Sequence, residues 1–285
     1  MSDLRIIERD RRDTLGEGPL WVASEDALYW VDILDRRVNR LSLADDAVTS
    51  VVMPELIGWV IERADRPGFI AGLASGFAEL TLDPFQIRKI VTPEPLSPKV
   101  RMNDAKADRA GRIFAGTMCY EGAEPIGSLY RLDSDLSIAP VDQGYRIANG
   151  PAISDDGRTI YHTDSAEGLV YRMVLHSDGS LGAREVFLRF PDEWGSPDGM
   201  TMDAEGGLWI AHWGGSRVTR FLADGSIDRA IHVPALQVTS CTFAGPNLDR
   251  MFITSAADGL DGEHDGALFE VDPGVRGLPT LKFGG

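Results

Sequence analysis

Leu28-Tyr29-Trp30-Val31-Asp32 (LYWVD) is a short run of aromatic and branched apolar residues closed by an acid. Runs of the same character return as FIAGL from Phe69, IFAGT from Ile113, IYHTD from Ile160, LWIAH from Leu208 and MFITS from Met251. The six are spaced 41 to 48 residues apart, close to the repeat of a four-stranded propeller blade. Clusters of Gly, Asp and Pro separate them, and long amphipathic helical stretches are hard to find, so the chain reads as all-β. A further strand-like segment usually follows, as in GSLYRLD from Gly127, GLVYRMVL from Gly168, SRVTRFL from Ser216 and GALFEVD from Gly266. The pattern predicts a six-bladed β-propeller with a central channel, residues 1–285 forming a single domain. It also predicts that the strand at Leu4 to Glu8 pairs with the C-terminal blade and removes free sheet edges.

Composition narrows the function. With 285 residues and 43% hydrophobic content the chain can bury a large core unaided. Its formal charge of −16 comes from 44 acidic against 28 basic residues spread along the chain, which disfavours nucleic acid and anionic membranes as partners. The start, MSDLRIIERDRR, is charged, and no uncharged apolar run approaches the roughly 18 residues of a membrane span. A soluble, cytoplasmic protein is expected, monomeric or weakly homo-oligomeric. Cys119 and Cys241 lack CxxC spacing, so buried inert thiols are expected rather than a disulfide framework or a thiolate zinc site. The acidic balance suits a neutral small-molecule substrate, or one whose charge meets a local arginine or metal.

The repeat also carries a phase. Ten or eleven residues before the six runs stand Glu17, Gly58, Asn103, Asn149, Asp198 and Ser240. In a propeller, residues of like phase meet at one end of the channel. Three of them share a local text in which an oxygen donor precedes glycine: GEGPLW, NGPAIS and PDGMTM. Asn-Gly and Asp-Gly ordinarily mark turns, and Asp156-Gly157, Asp178-Gly179 and Asp224-Gly225 are expected to do so. Turn chemistry does not explain Glu17 at the same phase. Glu, Asn and Asp together offer three hard oxygen ligands and about two negative charges, which suits a divalent cation with positions left for water or substrate. His162 and His212 sit on the repeated runs and are expected to be satisfied core residues, not ligands. Trp59 and Trp213 are read either as core between blades or as apolar walls against a sugar ring.

The segments GEGPLW at Glu17, RMNDAKADRAGRIFAGTM from Arg101, NGPAIS at Asn149 and SPDGMTMDAEGGLW at Asp198 resemble the ordered motifs of the senescence marker protein/regucalcin/gluconolactonase family. The likeness runs from about Asp13 through TSCTFAGP and the strand after it. It implies a six-bladed propeller with one divalent metal at the channel mouth, acting on aldonolactones. Residue by residue, it implies Glu17, Asn149 and Asp198 as metal ligands, with Asp198 doubling as general base. Arg101 and Asn103 become substrate-binding residues, as does Glu121, for which Glu124 in the same loop is the alternative. The ion implied is Ca²⁺, Zn²⁺, Mn²⁺, Mg²⁺ or Fe²⁺. The activity implied is hydrolysis of a sugar lactone such as glucono-, xylono- or arabinolactone to its acid. Two alternatives stay open: a lactonase, esterase or phosphotriesterase acting on a non-sugar substrate, and a calcium-binding regulatory propeller without catalysis.

Overall fold

The computed structural model describes residues 4–93 and 99–285. After a short β1 (Arg5–Ile6), the chain runs in quartets of strands. The first comprises β2 (Gly16–Val22), β3 (Ala27–Asp32), β4 (Arg37–Ser42) and β5 (Val48–Val52). The second comprises β6 (Ile57–Glu62), β7 (Phe69–Leu73), β8 (Gly76–Leu82) and β9 (Phe85–Val91). Next come β10 (Val100–Ala107), β11 (Ile113–Cys119), β12 (Gly127–Leu132) and β13 (Ile138–Tyr145), then β14 (Ala148–Ile153), β15 (Thr159–Asp164), β16 (Leu169–Val174) and β17 (Glu185–Arg189). The remainder is β18 (Ser196–Met202), β19 (Leu208–Trp213), β20 (Arg217–Phe221), β21 (Ile227–His232), β22 (Gln237–Ala244), β23 (Arg250–Ala256) and β24 (Phe269–Val271).

The first four quartets are four-stranded sheets paired in sequence order, and the last seven strands with β1 make one eight-stranded sheet. Within it, the run β18 to β21 and the run β22-β23-β24-β1 join through a single pair, Trp213 opposite Gln237. This is an all-β fold of propeller type. The six repeated runs fall on β3, β7, β11, β15, β19 and β23, the second strand of each group. Burial explains their apolar text: every residue of β3, β7 and β11 is buried, so both faces must be apolar. Outer strands such as β5 and β21 are mostly exposed or half-buried and mix polar with apolar residues.

Contacts divide the chain into two compact units, one made of the segment up to Pro54 with Phe190–Thr280, the other of Glu55–Arg189 with Leu281–Gly285. In the first, one core gathers Trp209, Val218, Phe243, Met251 and Phe269, and another Trp21, Leu28, Trp30, Phe252 and Leu268. The predicted closure lies here: β1 pairs β24, with Arg5 opposite Glu270 and Ile6 opposite Phe269. In the second unit, Trp59, Phe77, Met102, Ile113 and Phe283 form one core, and Phe114, Leu129, Tyr145, Ile160 and Met173 another. Phe283 is fully buried, its N–H donating to the Glu62 carbonyl at 2.9 Å and its carbonyl accepting from Ala64 at 2.8 Å. Among the described residues no helix is long and apolar enough to cross a membrane.

Candidate functional site

The six positions of common phase share a backbone device. Each first strand loses register with its neighbour once: between Glu17 and Leu20, Ile57 and Trp59, Met102 and Ala105, Asn149 and Ala152, Pro197 and Met200, and Val238 and Ser240. Such a bulge frees residues from the ladder and re-aims their side chains, and bulges are concentrated beside functional sites. The genuine turns look different. In Asp156-Gly157, Asp178-Gly179 and Asp224-Gly225 the aspartate Oδ1 accepts the N–H two residues on, at 3.0, 2.9 and 2.9 Å. The donor-glycine pairs at Glu17, Asn149 and Asp198 lie inside strands instead.

In the first unit, β22 is flanked by the strands that carry Glu17 and Asp198. Thr239 Oγ1 of β22 donates to the Gly16 carbonyl at 2.6 Å, tying β2 to it. On the β18 side, a Cβ at Gly199 would lie 2.2 Å from Ser240 Oγ, so only glycine fits after Asp198. Glu17 and Asp198 are buried, at 5% and 4% exposure, and Gly18 N–H donates to Glu17 Oε2 at 3.1 Å. Gly18 takes a positive φ of 54°, which a side chain would resist.

In the second unit, the β6, β10 and β14 bulges adjoin. A Cβ at Gly58 would meet the Asn103 carbonyl oxygen at 2.6 Å, which explains why this one phase position has no side chain. From Arg101 a hydrogen-bonded relay crosses from β10 to β14. Arg101 Nη1 donates to the Met102 carbonyl at 3.0 Å and to Asn103 Oδ1 at 2.6 Å. Asn103 Nδ2 donates to the Ala148 carbonyl at 2.9 Å and to Asn149 Oδ1 at 2.7 Å. Asn149 Nδ2 then donates to Ser165 Oγ at 3.0 Å. All four side chains are buried.

The remaining sequence expectations divide. Glu121 is exposed in the turn after β11, whereas Glu124 takes an ion pair from Lys99 at 2.6 Å. Trp59 is core, edge-on to Phe77 and backed by Gly72; Trp213 is half-buried at the join of the eight-stranded sheet. Cys119 and Cys241 are buried and form no disulfide, as expected. His162 and His212 are fully buried, but not satisfied as expected. His212 Nδ1 lies 2.9 Å from the Trp194 carbonyl while its Nε2 has no hydrogen-bond partner among the described residues. Both His162 nitrogens lack one, and the ring packs edge-on against Tyr145 at 4.7 Å.

Sequence reasoning missed three features. Asp32 accepts the Thr14 and Leu15 N–H groups at 2.9 and 3.1 Å, and Asp164 accepts those of Arg146 and Ile147 at 3.0 and 3.2 Å. These acids close the runs LYWVD and IYHTD, so their recurrence was a readable signal; each clamps the backbone two residues before Glu17 or Asn149. Asp104, beside Asn103 in the same bulge, is buried with Oδ1 accepting the Ala105 N–H at 2.7 Å. Burial pushes its carboxyl up to about 6, against the charge of Lys106 and the N–H groups of Ala105 and Gly150. Ser165 had no sequence signal, because its role depends on a neighbour sixteen residues away.

The first unit thus offers two buried carboxylates, Glu17 and Asp198, and the second a carboxamide, Asn149, whose oxygen is distinguished from its nitrogen by the relay. Carboxylate and carboxamide oxygens are donors of the kind that hard or borderline divalent cations take. Among the described residues no group of three or more His, Cys, Asp or Glu side chains is placed to hold a metal ion.

The chain is a member of the SMP-30/Gluconolactonase/LRE-like family, whose model matches residues 15–257. It is 35% identical to the pentonolactonase XacC of Haloferax volcanii, covering 99% of this chain and 98% of that protein. It is likewise 35% identical to the L-arabinolactonase of Azospirillum brasilense, over 97% and 94% of the two chains. A solved structure of regucalcin from Agrobacterium tumefaciens, described as a calcium-binding protein, superimposes with a TM-score of 0.93 at 26% identity, covering 99% of this chain and 97% of that one.

Proposed function

We propose that this chain is a divalent-metal-dependent sugar lactonase, a single domain of six blades in which the eight-stranded sheet counts as two. The observation that carries the reading is the bulge repeated at one phase of all six first strands, with oxygen donors at Glu17, Asn149 and Asp198. The lactonase relatives support the ester chemistry, and the two pentose-derived names among them favour an aldonolactone.

Glu17, Asn149 and Asp198 would hold the ion, which when bound supplies Lewis acidity toward the lactone carbonyl and acidifies water. Asp198 takes a proton from the attacking water and returns it to the ring oxygen as the carbonyl-oxygen bond breaks, so lactone and water yield the hydroxy acid. Arg101 offers a planar fork of donors that a lysine could not reproduce, and it serves the sugar oxygens together with the exposed Glu121. Glu17 and Asn149 border breaks in the ladder and Asp198 lies within one, so these side chains would meet substrate where pairing is interrupted while the sheets carry stability.

The test is acid release from a panel of glucono-, xylono- and arabinolactones with an aromatic ester and an organophosphate alongside. The chain is stripped of metal and reconstituted with Ca²⁺, Zn²⁺, Mn²⁺, Mg²⁺ or Fe²⁺. Turnover of sugar lactones that depends on the added ion is expected. Preference for the non-sugar esters would refute the substrate class, and ion binding without turnover of anything would favour the regulatory reading.

A further inference from the structure

The relay from Arg101 to Ser165 has a direction. A guanidinium can only donate, so Arg101 Nη1 at 2.6 Å requires the acceptor atom of Asn103 to be its carboxamide oxygen. The Asn103 nitrogen must then face the Ala148 carbonyl and Asn149, both of its N–H groups being spent there. It follows that the Asn149 atom 2.7 Å away is an oxygen, and that its nitrogen is the atom facing Ser165 Oγ. A carboxamide is nearly symmetric in shape, and only its partners decide which end is which. A carbonyl oxygen has two lone pairs, so accepting from Asn103 leaves one for a cation.

We infer that Asn103 and Ser165 are positioning residues for Asn149: they hold its carboxamide oxygen, rather than its nitrogen, in the orientation that serves a metal ion, and the polarity is imposed by Arg101. This rests on the reading of Asn149 as a metal ligand. It also changes the part expected of Asn103, whose N–H groups are engaged inside the protein and serve the ligand instead of the sugar. Ser165 is fit for the far end of the relay because it is 6% exposed and its backbone N–H is tied to the Ile147 carbonyl at 3.0 Å. Thr163 Oγ1 lies 3.4 Å from its hydroxyl.

The experiment measures Ca²⁺ and Mn²⁺ affinity of the full chain by titration calorimetry, together with the side-chain amide ¹⁵N–¹H resonances of Asn103 and Asn149 in the metal-free protein. Ser165→Ala removes the acceptor and should weaken the ion about tenfold, as loss of a group that orients a ligand typically does. Ser165→Thr should restore the affinity. Asn103→Asp replaces the donor facing Asn149 with an acceptor and should also weaken binding, although its added negative charge acting alone would tighten it. In the metal-free chain, Ser165→Ala should move the amide resonances of Asn149 and, through the shared bond, those of Asn103. Tighter binding by Asn103→Asp, or unchanged affinity in Ser165→Ala, would overturn the positioning role. If the wild-type chain bound neither ion, the ligand reading itself would fall, and amide resonances unmoved by Ser165→Ala would separately remove the relay.

Discussion

Replacing His162 with leucine should stabilise the protein, and should do so more at acid pH than at neutral pH. Burial pushes the His162 imidazole down to about 3, with Asp142 working against that shift and Arg184 adding to it. In an unfolded chain a histidine titrates near ~6.5. Above that value neither state binds the proton and His162 adds no pH dependence. As pH falls from about 6.5 toward 3 only the unfolded chain is protonated, and stability is lost at up to about 1.4 kcal/mol per pH unit. Between pH 7.5 and pH 5.0 the loss from this one residue is about 2 kcal/mol. At neutral pH, the two partnerless ring nitrogens cost roughly 1–3 kcal/mol. Losing the edge contact with Tyr145 returns about 0.5–1.5 kcal/mol of that gain. His162→Leu should therefore be more stable by about 1 kcal/mol at pH 7.5 and about 3 kcal/mol at pH 5.0. Urea unfolding followed by tryptophan fluorescence at the two pH values measures both numbers. Parallel losses in the two proteins on acidification, or a His162 C2–H resonance titrating near ~6.5 in the folded state, would refute the reasoning.

Glu17→Gln, Asn149→Ala and Asp198→Asn should each lower cation affinity and lactone turnover together while leaving the sheets intact; wild-type turnover by all three in metal-depleted buffer would contradict the ligand assignment. His212, which burial brings down to about 4, should give a further acid loss of about 2 kcal/mol by pH 5.0, seen as a shallower stability–pH curve in a His212→Leu protein. Phe283→Ala empties a fully buried position and should cost about 3–5 kcal/mol in denaturant titration, whereas a change under 1 kcal/mol would mean that the C-terminal segment packs less tightly than described. Gly199→Ala sets a methyl against Ser240 Oγ and should cut turnover, and Ser240→Gly in the same chain should recover part of it, the Thr239 carbonyl oxygen 2.9 Å from the methyl remaining; no recovery at all would place the damage elsewhere.

The fold was legible because its cause repeats. Strands buried on both faces read as largely apolar runs, so LYWVD and its five counterparts mark the second strand of every group, and the strand before each could be counted off. Phase singled out Glu17, Asn149 and Asp198 in the same way. What escaped was set by contacts between segments rather than by period. Counting one residue per repeat names Asn103 and passes over Asp104, although the bulge releases both from the ladder. The company kept by His162 depends on the packing around it, and composition says nothing about whether a buried nitrogen finds a partner. Glu121 and Glu124 lie in a loop with no periodic text; among the described residues the Lys99 ion pair sets Glu124 apart.

The six bulges bear on how such a protein can change over evolutionary time. A residue within or bordering a break in the ladder can be exchanged with little effect on the pairing of the rest of its strand, so a new substrate or ion can be reached by single replacements while the sheets persist. That freedom is uneven around the repeat. Glu17, Asn103, Asn149, Asp198 and Ser240 have room for side chains, but at Gly58 the Asn103 carbonyl oxygen already occupies the space of a first carbon. Innovation in this scaffold has five places to act, and the sixth is closed by its own backbone.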